Sequence, residues 1–569
     1  MSKNFKELFL GTTYPLEKSS ILNAEEFRKN GILYHSKRDP RREAARQLLG
    51  LEQDGEFLIL LGSGLGYILA EAKNQYKEIL LIEPDADVLQ YLLQNDNLKE
   101  LENIISIYHP ENSAQDDLED ILLWLQGKNV QKIRILPFRP AFNALPDLYI
   151  PLQKQLLALL ERRSVNQATI VKFQDIWNRN ILLNLPQLVT CSAYEELTNH
   201  LQVDHVVIAG AGPSLADSIP ELQKYRQKFL LAAADTALIP LVKNQIFPDV
   251  VFAADPQWIN HFFAYSRFTD KSVWVVDPVV SPGLFHNISH AVTVNWDNAF
   301  RLYTIFSDIF GLRGEIRHGG SVSTNAFDFA RKIATKKILL VGQDFAFSGG
   351  QAHVKGAALE SLLFANCNRF ITGENHNYRQ MSALPKLAVD SIVKTDQRIF
   401  SNAKLKIIQD WFERRSGETS SAEILNCTAR GARLKNWRHS TLNDELQSVE
   451  AKVNLNLTEL KNSQISEERK IQEAALIKKL QVLRKELLEL VNHCKRVLIK
   501  GNLHDLESKL RHLPLAKDIA SLGAQSQILK ITEQGAQVEP TAFVIALKKS
   551  AENVALMLKK TLGALHSPA

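Results

Sequence analysis

The chain has 569 residues, which is too long for one ordinary domain, so we expect two to four. It is 45% hydrophobic and 23% charged, as is ordinary for a soluble globular protein, and its longest apolar run (229–242) contains Asp235, so we expect no membrane span. The four cysteines lie far apart at spacings that match no metal site, so we expect reduced thiols and no metal. The first ten residues are polar and mixed, so we expect no secretion signal and a cytoplasmic location.

The net charge of +5 is unevenly distributed along the chain. From residue 451 onward, 19 Lys and Arg stand against 12 Asp and Glu, so the whole basic surplus lies in this tail. Basic residues alternate there with acids and leucines, whereas a nucleic-acid-binding surface needs clustered basic residues with aromatics. The pattern favours a solvated helix face, and we expect no nucleic-acid partner.

The first section, 1–165, opens with a strand, a glycine loop, a helix and a second strand. The first strand enters Gly62-Ser63-Gly64-Leu65-Gly66, and the second ends at Glu83. An acid about twenty residues after such glycines is the spacing of a Rossmann nucleotide site, which alone would suit S-adenosylmethionine or a dinucleotide. Nothing downstream completes methyl-transfer chemistry, so we predict a scaffold whose glycines serve only the turn. Strands are predicted in this section at 57–61, 78–82, 103–107 and 132–136.

Three strand ends lie close together in the second section, 166–435. The strand 205–209 ends at the loop 210–214, and the next two strands, 230–234 and 250–254, end at acids. Parallel strands place ligands at their carboxyl ends, so these residues predict a nucleotide pocket. In the loop, small residues would bring the backbone close to the ligand, a proline would fix the entry to the helix, and a hydroxyl would lie at an anion-favouring helix N-terminus. The residues of the predicted pocket are Gly210, Gly212, Pro213 and Ser214 of the loop, with Asp235, Thr236, Asp255 and Gln257 for ribose or base.

The rest of this section continues to alternate strands with helices. Strands are predicted at 271–276 and 337–341, and a helix at 324–334. Alternation of this kind predicts a parallel sheet that is covered on both faces. Backbone amides near Gly320 and Ser321, just before the helix, are predicted to hold phosphate oxygens.

His353 lies in a glycine-containing loop beyond the last of these strands. Its ordinary pKa is near neutrality, so it can take a proton from an attacking hydroxyl, and we predict that it is the general base. The alternative is an ordinary surface histidine. Asp344, at the end of the strand, would either orient His353 or cap the next helix. These residue types suit transfer of a group from an anionic activated donor.

The third section, 436–569, is predicted to be all helical. Its apolar residues recur at three- and four-residue steps, which indicates one stripe along a helix. We hypothesise that these helices recruit a protein acceptor through an exposed apolar groove, and the alternative is a bundle that only covers the central section. The stripe consists of Leu476, Leu480, Leu483, Leu487 and Val491.

The motifs of the second section are similar to those of the motility-associated factor (Maf) flagellin glycosyltransferases, whose central domain is also described as 6-hydroxymethylpterin diphosphokinase-like. The chain departs from that family's pattern where Ala429 and Arg430 replace an acid and a glycine. The similar segments, rich in glycines and acids, are 210–215, 234–237, 247–249 leading to Asp255, 319–322, 341–347 with His353, and 426–428 before 431–432.

The resemblance implies an α/β fold with two Rossmann-like domains, of which the central one is similar to bacterial sialyltransferases, followed by an all-α C-terminal domain. It implies a glycosyltransferase that moves a nonulosonic acid, pseudaminic or legionaminic, from its CMP-activated donor to Ser or Thr of flagellin, in support of flagellum assembly and motility. In the sialyltransferases the Gly-x-Gly-Pro-Ser segment lines the nucleotide. The resemblance strengthens the catalytic assignment of His353, and no cofactor is expected besides the CMP-sugar donor.

Two other functions remain open. The central section could be a diphosphokinase that moves pyrophosphate from ATP to a pterin-type alcohol, with a divalent metal held by its acids. The long flanking sections favour a macromolecular acceptor over that small one. The chain could also be a flagellin-binding chaperone that catalyses nothing, which a nucleotide-binding measurement would distinguish from both enzymes.

Overall fold

The structure is a computed structural model, in which the chain forms two compact units, 1–169 and 170–569. The first unit corresponds to the predicted section 1–165. The second contains both the predicted central section and the predicted C-terminal section. The described residues are 21, 26–51, 55–94, 104–109, 121, 124–125, 128, 132–258, 271–288, 291–293, 302–311, 313–357, 360, 364, 367–393, 397–416, 418, 421–450, 467–501, 503–533 and 540–565.

The first unit is built on a parallel sheet, in which aliphatic residues buried on both faces mark the strands. The strands of this unit are β1 (Arg28–Lys29), β2 (Ile32–Leu33), β3 (Phe57–Leu61), β4 (Glu78–Ile82), β5 (Ile105–Tyr108) and β6 (Ile133–Pro137). Its helices are α1 (Pro40–Leu49), α2 (Tyr67–Ala72), α3 (Ala86–Gln94), α4 (Arg139–Ala144) and the beginning of α5 (Pro146–Thr190). The sheet order is β5-β4-β3-β6, with β1 and β2 paired separately as an antiparallel ribbon. All four predicted strands are confirmed within two residues, although the predicted start at Asn103 lies outside the described residues.

The second unit contains a nine-stranded parallel sheet. Its strands are β7 (Ser192–Ala193), β8 (Val203–Ala209), β9 (Leu230–Ala234), β10 (Val250–Ala253), β11 (Val273–Val276), β12 (Ala291–Thr293), β13 (Ala334–Val341), β16 (Glu423–Asn426) and β17 (Arg438–His439). They lie in the order β17-β16-β13-β8-β9-β10-β11-β12-β7, and every pair is parallel. A separate antiparallel hairpin, β14 (Lys386–Asp390) with β15 (Arg398–Asn402), interrupts the chain between β13 and β16.

Helices cover both faces of this sheet, as predicted. Alternate residues of a strand face opposite sides. In β8, Ile208 packs in one buried cluster with Phe327, while its neighbour Val207 packs in another with Leu222. The helices are α6 (Tyr194–His200), α7 (Leu215–Tyr225), α8 (Asp235–Lys243), α9 (Pro282–His286), α10 (Leu302–Phe310), α11 (Val322–Ile333), α12 (Gly373–Ser382), α13 (Ala403–Glu413), α14 (Leu442–Leu446), α15 (Glu467–Lys500), α16 (Leu503–Arg511), α17 (Pro514–Glu533) and α18 (Pro540–Leu565).

The apolar stripe of α15 is buried rather than exposed. Leu480, Leu483 and Leu487 are completely buried in one cluster with Trp274 of β11 and Leu547 of α18. The stripe therefore does not form an exposed apolar groove, because it is the core between the helices and the sheet. The C-terminal helices cover the central sheet and complete its compact unit.

Among the described residues, every helix is too short or too polar to cross a lipid bilayer.

Candidate functional site

The strand order of the large sheet reverses next to β8. From β8 the chain adds β9, β10 and β11 on one side, and it returns to place β13 on the other side. In open parallel sheets the crevice at the carboxyl ends of the strands flanking such a reversal is where ligands bind. The loops that follow β8 and β13 are therefore the centre of the candidate site, and both carry predicted site residues.

The glycines after β8 are required by the loop after β13. The Gly210 and Gly212 amides donate to the carbonyl oxygens of Val341 and Gly342, both at 2.9 Å. A Cβ atom at Gly212 would overlap the Asp344 carboxylate and lie 2.6 Å from the Gly342 carbonyl oxygen. We expected these glycines to bring the backbone close to a ligand. Instead they bring two loops of the protein together, and the space beside Gly210 is likewise filled by the loop after β13.

The Asp344 carboxylate occupies the N-terminus of α7. It is buried, its Oδ1 accepts a hydrogen bond from Ser214 Oγ at 2.6 Å, and its two oxygens lie 3.3 and 3.2 Å from the Ser214 amide nitrogen. Burial raises the pKa of Asp344 to about 6, against the lowering effects of the Ser214 hydrogen bonds and the nearby Arg430 charge. The helix end that we assigned to a phosphate thus already holds an internal carboxylate, with Pro213 buried in the turn before it. Asp344 caps the helix after β8, which neither of our two alternatives foresaw.

The loop that carries His353 lies against the loop after β8. The amide of Val354 donates to the carbonyl oxygen of Ala211 at 2.9 Å, which places His353 beside the Gly210–Ser214 segment. The side chain is half-buried, and burial, with a smaller effect of the Lys404 charge, lowers the pKa of His353. The imidazole is therefore neutral at pH 7, which is the form that accepts a proton.

Asp235 begins α8 at the end of β9 and keeps one unsatisfied oxygen. Its Oδ1 accepts from the Thr236 amide at 2.7 Å, while its buried Oδ2 has no hydrogen-bond partner among the described residues. Burial, and then the charge of Asp255, raises the pKa of Asp235 to about 7. At neutral pH this carboxyl can either donate or accept a hydrogen bond, which suits a sugar hydroxyl or a base.

Asp255 and Gln257 form a turn at the end of β10. Asp255 accepts from the Gln257 amide at 2.9 Å and from the Gln257 side chain at 3.3 Å. Since Asp255 acts electrostatically on Asp235, the predicted strand ends of β9 and β10 do meet at one edge. The structure brings these two acids together as the sequence predicted.

The loop before α11 contributes a third part of this edge. Gly320 has a φ of +85°, and a Cβ atom there would lie in ordinary contact with Ile408, 3.9 Å from its Cγ1. The Ser321 hydroxyl accepts from the Ser323 amide at 3.4 Å as the helix cap. In the same loop His318 Nε2 lies 3.9 Å from a carboxylate oxygen of Asp277, which directly follows β11. Sequence reasoning missed this His318–Asp277 pair. The signal was available, because Asp277 continues the pattern of acids that follow β9 and β10.

Arg430 brings a positive charge to the other side of the crevice. Its Nε donates to Asp217 of α7 at 2.6 Å, and both side chains are partly exposed. The segment is tied to the site because Thr428 Oγ1 accepts from the Gln343 amide at 3.2 Å. Arg430 is one of the two positions, with Ala429, at which the chain departs from the Maf pattern, so its charge is a property of this chain rather than of the resemblance. Sequence reasoning left it unassigned.

The N-terminal glycine loop is filled by side chains of its own unit. The Leu65 amide donates to His35 Nε2 at 2.8 Å, and a Cβ at Gly64 would lie 2.7 Å from Phe138 Cζ. Glu83 is completely buried and accepts from the Tyr149 hydroxyl at 2.5 Å. Burial raises the pKa of Glu83 to about 7 and lowers that of His35 to about 4. This packing favours the prediction that the loop is a scaffold.

Metal ligands do not converge in the part of the chain that the structure describes. Within it, no group of three or more His, Cys, Asp or Glu side chains could hold a metal ion.

Sequence comparison finds a family model that matches the middle of the chain. Residues 179–350 match the family model described as 6-hydroxymethylpterin diphosphokinase MptE-like. An uncharacterized protein of Treponema pallidum (strain Nichols) is 34% identical over 97 residues, which are 17% of this chain and 44% of that protein. A second from the same organism is 24% identical over 159 residues, 25% of this chain and 39% of that protein. The chain thus spans about two fifths of the length of these two relatives.

Comparison with solved structures covers most of the chain. The structure of the MAf glycosyltransferase from Magnetospirillum magneticum AMB-1 aligns over 92% of this chain and 82% of that one, with a TM-score of 0.53 and 14% sequence identity. The chain has the Maf glycosyltransferase fold. The predicted resemblance to the Maf proteins and to their diphosphokinase-like central domain is confirmed, as is the predicted α/β class with a helical C-terminal region.

Proposed function

We propose that the protein is a glycosyltransferase that moves a nonulosonic acid from its CMP-activated donor to Ser or Thr of flagellin in the cytoplasm. The observation that best supports this proposal is the 2.9 Å hydrogen bond from the Val354 amide to the Ala211 carbonyl oxygen. It holds a neutral histidine beside the loop at the reversal of the sheet, within the Maf fold. Motility enters the proposal through the proposed acceptor, since flagellin is the subunit of the flagellar filament.

The donor would lie along the carboxyl edge of the sheet. Asp235, with its unsatisfied Oδ2, and Asp255 would bond the ribose or base. Asp344 already occupies the N-terminus of α7, so the donor's phosphate and carboxylate need other partners. Arg430 is a suitable one, because its bond to Asp217 is partly exposed and such a pair is weak enough to be exchanged for a ligand.

The chemistry requires one proton acceptor. The acceptor hydroxyl attacks the anomeric carbon, a new carbon–oxygen bond forms, and the bond to the phosphate oxygen breaks with its electron pair leaving on CMP. The hydroxyl proton passes to the neutral imidazole of His353. Asp344 would act at a distance as a positioning residue, since it fixes the Ser214 loop through the 2.6 Å hydrogen bond.

Calorimetry followed by mass spectrometry tests this proposal. We expect purified protein to bind CMP, and expect incubation with CMP-pseudaminic or CMP-legionaminic acid to add one or more nonulosonic acid masses to unmodified flagellin. A protein that binds neither CMP nor a CMP-sugar would contradict the proposal.

A diphosphokinase is the second candidate, favoured by the family match over 179–350. It predicts the opposite ligand preference. ATP with Mg²⁺ would bind in place of CMP, and a hydroxymethylpterin would gain a diphosphate. Calorimetry of the wild-type protein with CMP and with ATP and Mg²⁺ therefore distinguishes the two enzymes.

A further inference from the structure

The chain between β13 and α13 carries a concentration of exposed apolar side chains. Of the 17 large hydrophobic residues that are exposed in the described part of the chain, seven lie between residues 364 and 400. Single exposed apolar residues are normal on a protein surface, but a cluster of aromatic ones in so short a stretch is typical of an interaction surface. The seven are Phe364, Phe370, Tyr378, Leu384, Leu387, Val393 and Phe400.

The hairpin β14–β15 presents part of this cluster as one face. Ala388 pairs with Phe400 in the register of the two strands, while Val389 points to the other side and is buried. Opposite the small Ala388, Phe400 is 58% exposed. Lys386 Nζ lies 5.4 Å from the centre of the Phe400 ring and 6.0 Å from that of Tyr378 in α12. We call Tyr378, Lys386, Ala388 and Phe400 the hairpin face.

The chain segment that contains the hairpin face has a basic surplus. Residues 367–406 contain seven Lys and Arg but three Asp and Glu, whereas the chain up to residue 450 as a whole has no basic surplus. An apolar surface with a basic rim favours a partner that offers apolar side chains and acidic residues.

The hairpin is bonded directly to the loop that carries His353. The Phe347 amide donates to the Phe400 carbonyl oxygen at 2.9 Å, and Ser401 Oγ donates to the Phe345 carbonyl oxygen at 2.8 Å. Lys404, just after β15, acts electrostatically on His353. A chain segment lying on the hairpin face would therefore be held at a fixed position relative to the proposed base.

We propose that the hairpin face binds the polypeptide acceptor, through a segment with apolar side chains and acidic residues beside the Ser or Thr that receives the sugar. This inference rests on the proposed function and deepens it by locating the acceptor. It differs from the hypothesis that the apolar stripe of the C-terminal helices recruits the acceptor, since that stripe is buried in the core.

Two substitutions on the hairpin face test the proposal independently. Phe400→Ser removes the aromatic contact, and Lys386→Glu reverses the charge. Both positions lie on the exposed face of the hairpin, so the fold should persist. The matched control is Ile499→Ser, which changes a side chain that is 84% exposed on α15. The probe is purified unmodified flagellin from the source organism.

We expect each hairpin variant to bind flagellin about tenfold more weakly or worse, as is typical of a central aromatic or charged contact. The KM for flagellin should rise while kcat and the affinity for CMP stay at wild-type values, and Ile499→Ser should match wild type throughout. The effect of Lys386→Glu should shrink at high salt, since it is electrostatic.

Several results would overturn the docking proposal. If wild type glycosylates flagellin and both hairpin variants bind flagellin as tightly, the acceptor lies elsewhere and the proposed function still stands. If wild type forms a dimer in light scattering that Phe400→Ser dissociates, without an effect on flagellin binding, the face joins two copies of the chain. If wild type binds no CMP and transfers nothing, the proposed function fails first and the acceptor surface fails with it.

Discussion

The protein contains two glycine loops that look alike in sequence and differ in how the acid at the end of the following strand is paired. Both follow a buried parallel strand and precede a helix, and in both the nearest neighbours are other parts of the protein. In the N-terminal unit, Glu83 has partners in Tyr149 and Ser63 and no exposed surface. In the second unit, Asp235 keeps a buried oxygen without a partner among the described residues.

The contrast shows that glycine spacing does not by itself separate a binding site from a scaffold. Glycines permit close approach, but the approaching atoms can belong to the same protein, as Asp344 does at Gly212 and His35 does at Gly64. Polar groups that remain unpaired after folding are the better indicator, because burying them costs free energy that a ligand can recover. By this criterion both units retain candidates among the described residues, Asp235 in the second unit, and Asp85 Oδ2 with the Tyr34 hydroxyl in the first. The choice of the second unit therefore rests on the proposed function.

Replacing the histidine beside each loop with alanine should give the largest difference between the two loops, in kcat. His353→Ala should lower kcat by about 10²–10⁴-fold, the usual contribution of a general base, and leave CMP binding unchanged. His35→Ala should leave kcat unchanged and cost about 1–3 kcal/mol of stability, because the buried Leu65 amide loses its hydrogen bond. Intact mass spectrometry of flagellin and thermal denaturation measure the two effects.

The pH dependence sharpens the assignment of His353. Because burial lowers the pKa of this side chain below 6.5, the base form persists below neutrality. Transfer by wild type should fall only on acidification below about pH 6.5, the ordinary value for histidine. Full glycan mass on flagellin from cells that carry His353→Ala would place the base on another residue.

Adding one methyl group to each loop should have the next largest effect. Gly212→Ala and Gly64→Ala each place a Cβ against packed atoms, and overpacking of this kind typically costs about 1–3 kcal/mol. At Gly212 part of the cost arises from Asp344, so Asp344→Ala should relieve some of it in a double-mutant cycle. Chemical denaturation measures the coupling. Strict additivity at Gly212 would show that Asp344 is not the obstructing group.

A smaller effect should appear in the pH dependence of stability. Burial raises the pKa of Asp235 to about 7 from an ordinary 3.8, so the folded state binds a proton more tightly than the unfolded state. Stability from this group is therefore present at low pH and is lost as pH rises from about 4 through 7. Asp235→Asn should flatten this fall. The melting temperature of the variant, relative to that of wild type, should therefore increase between pH 5 and pH 8.

Glu83 is the matched control for that comparison. Its pKa is also raised to about 7 by burial, but its carboxylate accepts hydrogen bonds from Tyr149 and Ser63. Glu83→Gln should also flatten the fall of stability with rising pH. It should nevertheless lower the stability at pH 5, because both oxygens of the Glu83 carboxyl group have hydrogen-bond partners that the amide does not match. If Asp235→Asn loses as much at pH 5 as Glu83→Gln, Asp235 is not short of a partner.

Much of the sheet could be predicted from the sequence, because its central strands are runs of aliphatic residues buried on both faces. The strands from β8 to β11 and β13 fall at the predicted positions. The short strands β7, β12, β16 and β17 towards the edges were missed, since they lack a run of four or more apolar residues. The hairpin was also missed, because exposed Lys386 and Arg398 and the buried Ser401 interrupt its apolar residues.

The site was predicted less completely than the fold. The meeting of Asp235 with Asp255 followed from parallel strands ending at one edge. The bond between Ser214 and Asp344 spans 130 residues, and local sequence contains no information on such a pairing. Spacing could also not reveal that the stripe on α15 faces the sheet, since an amphipathic helix has the same pattern whether a partner or its own core covers it.

At the N-terminal glycine loop we expect no effect of ligands on the melting temperature. A ligand present at a hundred times its dissociation constant stabilises a protein by about 2.7 kcal/mol, which thermal denaturation detects easily. We expect CMP to give such a shift, and S-adenosylmethionine and NAD to give none. The reason is that His35 and Tyr149 occupy the amide and the carboxylate that either cofactor would use. His35→Ala should not create binding, because Phe138 still fills the space beside Gly64. A shift with either cofactor that disappears in Gly64→Val would show that the loop opens to a ligand and that the two glycine loops are both sites.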